Sequence, residues 1–205
     1  MSLINRGFRR RRPLDPELAE RLPPGQHLVG DFPVLTAGPT PRPRLEDWTL
    51  RIDGAVDTPR LWTWDEFLAL PSQRFETDIH CVTSWSKLGT VWEGVSLDTL
   101  LAGAKTSARY LHVVCDGGYD TNLPLADVTG GKAWIAHAYD DQPLPAKHGG
   151  PARLLVPHLY FWKSAKWVRR LILAEDDHPG FRETHGYHRR GDPGARSATA
   201  MTSGA

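Results

Sequence analysis

A chain of 205 residues with 40% hydrophobic and 24% charged residues suits one domain with a substantial core. Its net charge of +1, spread in mixed signs, provides no strong field for nucleic acid or for an anionic membrane surface. No apolar run approaches the roughly 20 residues that span a bilayer, and Cys81 and Cys115 form no Cys-x-x-Cys pair.

Residues 1–13 are predicted to be a basic flexible arm carrying the run Arg9 to Arg12. The run leads into Pro13, Leu14, Asp15, Pro16 and Glu17, where a secretion or twin-arginine signal would need an apolar stretch. Cytoplasm is therefore the expected compartment, and there a disulfide is not expected. One folded domain is assigned to 14–193 and a flexible tail, rich in Gly, Ala, Ser and Thr, to 194–205.

Asp15-Pro16-Glu17 reads as a helix start, with Asp15 as N-cap and Pro23-Pro24 as the stop. From Phe32 to Pro43 repeated prolines predict a long loop. Trp48, Leu50 and Ile52 alternate with polar residues as in a half-buried strand, and Thr63 to Glu66 matches a capping box opening a short helix to Leu70. Arg74 to Val82 alternates as a second strand, with Cys81 at its C-terminal end. Ser96 can cap a helix from Leu97 to about Ala102. Tyr110 to Val114 and Tyr119 to Leu123 are read as strands joined by Asp116-Gly117-Gly118. Further strands are expected at Ala133–Tyr139, Arg153–Val156 and Trp167–Leu173, which together give a β-rich α+β domain with short helices and a mixed sheet.

Two segments carry chemistry. Around Cys81, the residues Asp78-Ile79-His80-Cys81-Val82-Thr83-Ser84-Trp85-Ser86-Lys87 crowd a thiol with polar and cationic groups. The thiol reads either as a small buried apolar group, as a nucleophile or as a soft metal ligand. His148-Gly149-Gly150-Pro151-Ala152-Arg153, followed by Lys163-Ser164-Ala165-Lys166-Trp167, has the composition of an anion site. Glycines allow close approach there, and Arg153, Lys163 and Lys166 offer charge-assisted bonds to a phosphate.

The order of these pieces, His80-Cys81, then Trp92-Glu93-Gly94-Val95-Ser96-Leu97, then His148-Gly149 with Arg153 and Val156-Pro157, then Lys163-Ser164-Ala165-Lys166-Trp167, resembles the molybdopterin-binding domain of the sulfite oxidase family. It looks closest to small, stand-alone bacterial members. The resemblance implies the sulfite oxidase fold and a molybdenum-molybdopterin cofactor with one pyranopterin dithiolene. Cys81 would be the metal ligand. His148, Arg153, Ser164, Ala165 and Lys166, and with them Cys115 or Asp116, would bind the cofactor. Tyr187 falls where the family places a catalytic tyrosine, although a surface aromatic is the alternative. The implied reaction is oxygen-atom transfer to or from a small substrate such as an oxyanion, sulfoxide or N-oxide.

Departures accompany the likeness. The family's arginine five residues beyond the cysteine is Ser86 here, and a second arginine position falls near Leu35 and Thr36. Sulfite is therefore disfavoured as substrate, because bidentate oxyanion recognition would be lost. Lys87, Arg189 and Arg190 are candidates to compensate. Neither a haem domain nor an immunoglobulin-like dimerisation domain is visible, so a monomer with an external electron donor or acceptor is expected. Two other readings remain at this point, a metal-free thiol enzyme with Cys81 as nucleophile and a non-catalytic pterin-binding protein.

Overall fold

Eleven strands form two sheets in the computed structural model, which describes residues 15–31, 33–35 and 38–194. The predicted arm with its arginine run, residue Thr36 and the tail beyond Gly194 lie outside the described residues. The elements are α1 (Pro16–Glu20), β1 (His27–Leu28), β2 (Thr49–Gly54), β3 (Arg60–Thr63), α2 (Trp64–Leu68), β4 (Ser72–His80) and β5 (Trp85–Ser96). They continue with α3 (Leu97–Leu101), β6 (Tyr110–Cys115), β7 (Asp120–Pro124), β8 (Trp134–Tyr139), β9 (Gln142–Pro143), β10 (Arg153–Leu155), β11 (Val168–Ala174) and α4 (Phe181–Thr184).

The short helices begin where side chains satisfy their first amides. Asp15 accepts from Glu17 N at 3.0 Å, Thr63 and Glu66 close a reciprocal capping box, and Ser96 Oγ accepts from Thr99 N at 3.0 Å. Between α1 and β2 the described residues form only the two-residue strand β1 and a single 3-10 turn at Leu45–Asp47, in keeping with the prolines there.

In the first sheet β5 is the hub, pairing with β4 and β8 antiparallel and with β1 in parallel, while β10 and β9 extend from β8. The second sheet runs β3-β2-β11-β6-β7, with β2 and β11 parallel and the other pairs antiparallel. The result is a mixed-sheet α+β fold, as expected.

Period-two alternation divides the first sheet between two cores. Val95, Ile135 and Leu154 face one way and share a core with Leu50 and Ile52 of β2, Leu111 and Val113 of β6, and Leu171 and Leu173 of β11. Trp92, Ala136 and Leu155 face the other way, into a smaller cluster with Ile79, Cys81, Trp85 and Phe161. The β4–β5 connection stands at the edge of that second cluster, and this places Cys81.

β5 runs through Gly89 and Gly94, in a stretch for which the sequence reading assigns no strand. At Gly94 the glycine permits close approach. A Cβ there would lie 2.6 Å from Ile135 O and 2.7 Å from Ala136 Cα, on the strand alongside.

Candidate functional site

Cys81 is the first residue past β4, in a tight connection to β5. Its N–H donates to Trp85 O at 2.8 Å, and its carbonyl accepts from Ser84 N at 3.0 Å and from Gln26 Nε2 at 2.9 Å. Ser84 completes the reversal with φ of 68°, in the left-handed region. The backbone on both sides of the thiol is thus fixed. Sγ is 3.1 Å from Thr83 Oγ1 and the residue is 5% exposed, so the thiol is a confined group at a cleft wall.

The segment that would bind an anion is tied to the same place. Phe161 N donates to His80 O at 2.7 Å, immediately before Cys81, and the Phe161 and Trp85 rings meet edge to face at 6.0 Å. Past Phe161 the chain turns through Ser164, Ala165 and Lys166 along the cleft. Trp167, with φ of 57°, is held by its N–H to Gly149 O at 3.2 Å and its Nε1 to Ala146 O at 2.8 Å.

Arg153 lines the cleft with a wholly buried side chain. Its guanidinium donates to His148 O at 2.8 Å, to Ser164 O and, at 3.4 Å, to Leu154 O, and it stacks 4.0 Å from the Phe161 ring centroid. Lys166 Nζ donates to the carbonyls of Leu35 and Lys147, each at 2.9 Å. Among the described residues neither cation has a carboxylate partner. Burial, reinforced by Arg153, pushes the Lys166 ammonium down to about 8. Burial, with Lys147, Arg153 and Lys166 adding to it, pushes the His148 imidazole down to about 4, against a counter-pull from Asp31. Gly149 makes the crowding possible, since at φ of 108° its missing Cβ would sit 3.0 Å from Lys166 Cβ and 3.1 Å from Arg153 Cβ.

The cleft between these walls holds about 980 Å³ of space, counting the part open to solvent. It brings together Cys81, Arg153, Ser164, Ala165, Lys166, Asp116 and Tyr187 of the residues expected from sequence. Ser164 uses its hydroxyl to accept from Val156 N at 2.9 Å, and Asp116 is within 3.8 Å of Arg169 Nε. His148 stands behind the Arg153 guanidinium and reaches it through its carbonyl. Cys115 is packed in the larger core, where burial pushes its thiol up, so of the pair Cys115 and Asp116 only Asp116 faces the cleft.

Several expectations are corrected. Lys163 is not an anion-site cation. Its side chain is wholly buried and bonds to Asn122 O at 2.5 Å, Asn122 Oδ1 at 3.2 Å and the Glu183 carboxylate. None of the three cations suggested as replacements for the family arginines lines the cleft. Lys87 donates to Gly30 O, Arg189 pairs with Asp177 at 2.7 Å, and Arg190 lies 3.4 Å from Asp127. Ser86 is buried between His80 Nδ1 at 2.8 Å and Gln26 Oε1 at 3.2 Å and also stays out of the cleft. A further cation on the cleft wall, besides Arg153 and Lys166, is Arg182 on α4, which no sequence motif singles out; its signals are Pro179-Gly180 just ahead of it and a spacing of five residues from Tyr187.

Comparison with known proteins defines the class. Residues 37–182 match the model of the oxidoreductase molybdopterin binding domain, and the chain belongs to this family of sulfite oxidase-type molybdopterin oxidoreductases. It is 43% identical over 176 residues to the uncharacterized oxidoreductase YuiH of Bacillus subtilis, spanning 84% of this chain and 89% of that one. It is 33% identical over 141 residues to the putative protein-methionine-sulfoxide reductase subunit YedZ1 of Azospira oryzae, covering 68% of this chain but only 53% of that protein. The fold is shared with the sulfane dehydrogenase SoxCD from Paracoccus pantotrophus, with a TM-score of 0.63 at 18% identity, over 91% of this chain and 58% of that one. Among the described residues no helix is long and apolar enough to cross a membrane.

Proposed function

We propose that the cleft holds a molybdenum pyranopterin cofactor, with Cys81 as the protein's ligand to the metal, and that the protein uses it for oxygen-atom transfer on a small substrate. The observation that carries this is the pairing of a confined thiol with two cations that lack carboxylate partners among the described residues, the buried Arg153 and the half-buried Lys166, on the walls of one cleft. A soft thiolate suits a transition metal, and the cations suit the phosphate of a pterin. No three His, Cys, Asp or Glu side chains among the described residues converge as a metal cage, so a metal at Cys81 would take further ligands from a bound group. The cofactor supplies the two-electron redox chemistry that accompanies movement of an oxygen atom.

The chain's own residues bind and orient. Arg153 and Lys166 would neutralise the phosphate while His148, Ser164 and Leu154 carbonyls keep the guanidinium in place. The fixed β4–β5 turn would hold the Cys81 sulfur at one position. Tyr187 would present its hydroxyl to the substrate, since that oxygen already accepts from Arg182 Nη1 at 3.1 Å and its own O–H remains available to donate. An oxyanion, sulfoxide or N-oxide fits this chemistry, and electrons would be exchanged with a separate redox partner.

The metal-free thiol reading finds less support. His80 is engaged with Ser86 and not with the Cys81 sulfur, whose polar contact is Thr83. Metal and pterin analysis of protein from a molybdopterin-competent host tests the proposal. Roughly one molybdenum per chain is expected, with loss of most of it in Cys81→Ser; absence of molybdenum from wild type, or equal content in the variant, contradicts it.

A further inference from the structure

Arg182 is the cleft cation that neither the resemblance nor the sequence motifs assign. It is half-buried on α4 and lines the same cleft as Cys81, with its guanidinium 4.9 Å from the Tyr187 ring centroid. Its Nε is buried without a hydrogen-bond partner. The neighbouring carboxylate, Glu183, is paired through Oε1 with Lys163, and among the described residues Arg182 forms no ion pair. Tyr119, also on the cleft wall, has its hydroxyl pushed up by burial, and the Arg182 charge is the chief influence opposing that rise, so the cation lies close to two tyrosines. A half-buried, forked donor that is flanked by two tyrosines and has no counter-charge among the described residues is poised for an anionic oxygen group.

We infer that Arg182, with the Tyr187 hydroxyl beside it, forms the substrate-recognition end of the cleft and selects molecules that carry a negatively charged oxygen group over neutral sulfoxides and N-oxides. This rests on the proposed function, which it narrows. Arg153 and Lys166 occupy a different wall, linked through Ser164 and the carbonyls around residue 148, and would be engaged by the cofactor. Arg182 is then the cation left for substrate. Its position is braced from behind, because α4 is held by the Lys163 contact with Glu183 and by Phe181 N donating to Asp120 Oδ1 at 2.7 Å.

The test is calorimetric titration of sodium sulfate, and separately of dimethyl sulfoxide, into molybdenum-loaded protein at constant ionic strength. Wild type should bind sulfate saturably. Arg182→Met should weaken sulfate about 10- to 100-fold, as loss of a charged hydrogen-bonding partner does, with Arg182→Lys intermediate. Molybdenum and pterin content should be unchanged in both variants. Unaltered sulfate affinity in Arg182→Met, no saturable sulfate binding by wild type, or equal weakening of sulfate and dimethyl sulfoxide overturns the inference while leaving the proposed function intact. Loss of pterin from Arg182→Met would also overturn it, by moving Arg182 into the cofactor cradle. Wild-type protein without molybdenum would instead be the failure of the proposed function, and this inference would fall with it.

Discussion

Lys163 and Lys166 are three residues apart, yet they sit in opposite electrostatic settings. Lys163 is wholly buried against a carboxylate whose side chain is 1% exposed, with two further acceptors on Asn122. Lys166, with Arg153, has only carbonyl acceptors and faces a cleft. A buried charge that is matched within the fold serves to fix structure; one that is left unmatched raises the free energy of the empty protein and is relieved when an anion arrives. The contrast separates the brace behind α4 from the wall that would hold a phosphate.

Removing one partner of the matched pair should have the largest effect. Glu183→Ala should cost about 3–5 kcal/mol of stability in urea unfolding, because Lys163 is left buried and uncompensated. Replacing both, as Lys163→Met with Glu183→Leu, should recover much of that loss. A single Glu183 variant as stable as wild type would deny the pair its bracing role.

Arg153→Met should behave differently. No counter-charge is stranded, only carbonyls, so the apoprotein should lose about 1–3 kcal/mol, less than Glu183→Ala, whereas pterin retention on gel filtration should fall severely. Equal stability losses with retained pterin would erase the distinction between the two regions.

A pH series sharpens it further. The Lys166 ammonium in the fold is pushed down to about 8 from its ordinary 10.5. Between those values the unfolded chain carries the extra proton, so apoprotein stability should rise with pH through this window and be lost as pH falls back through 8. Affinity of the apoprotein for inorganic phosphate should fall as pH rises through the same point, since the lysine loses its charge. Lys166→Arg should flatten both trends; an unchanged profile would show that another group titrates.

The smallest effect is expected at the second thiol. Cys115→Ala should lower stability by about 1 kcal/mol through lost core packing and leave molybdenum content unchanged, as checked by unfolding and metal analysis.

Where the local signal was self-contained, the sequence was legible. The capping box at Thr63, the cap at Ser96 and the alternation of Phe75, Thr77 and Ile79 all lie within a few residues and correspond to observed elements. What depended on distant neighbours was not. The hub strand β5 has no assignment from sequence, and the role of its Gly94 is set by β8 about forty residues later in the chain. Lys163, Lys166 and Arg153 looked equivalent because nothing local reveals that Glu183 meets one of them. Arg182 went unnoticed for the same reason, as its place on the cleft follows from how α4 docks against Asp120 and Lys163. The chain order of Cys81, Arg153 and Lys166 was enough to bring most of the cleft into view, but not to sort its charges.

All of these roles depend on the sulfur of Cys81 serving as a metal ligand. X-ray absorption at the molybdenum edge of wild type and of a Cys81→Ser sample enriched for residual metal tests it most directly. A sulfur neighbour present in wild type and missing from the variant is predicted; the same sulfur shell in both would contradict the assignment.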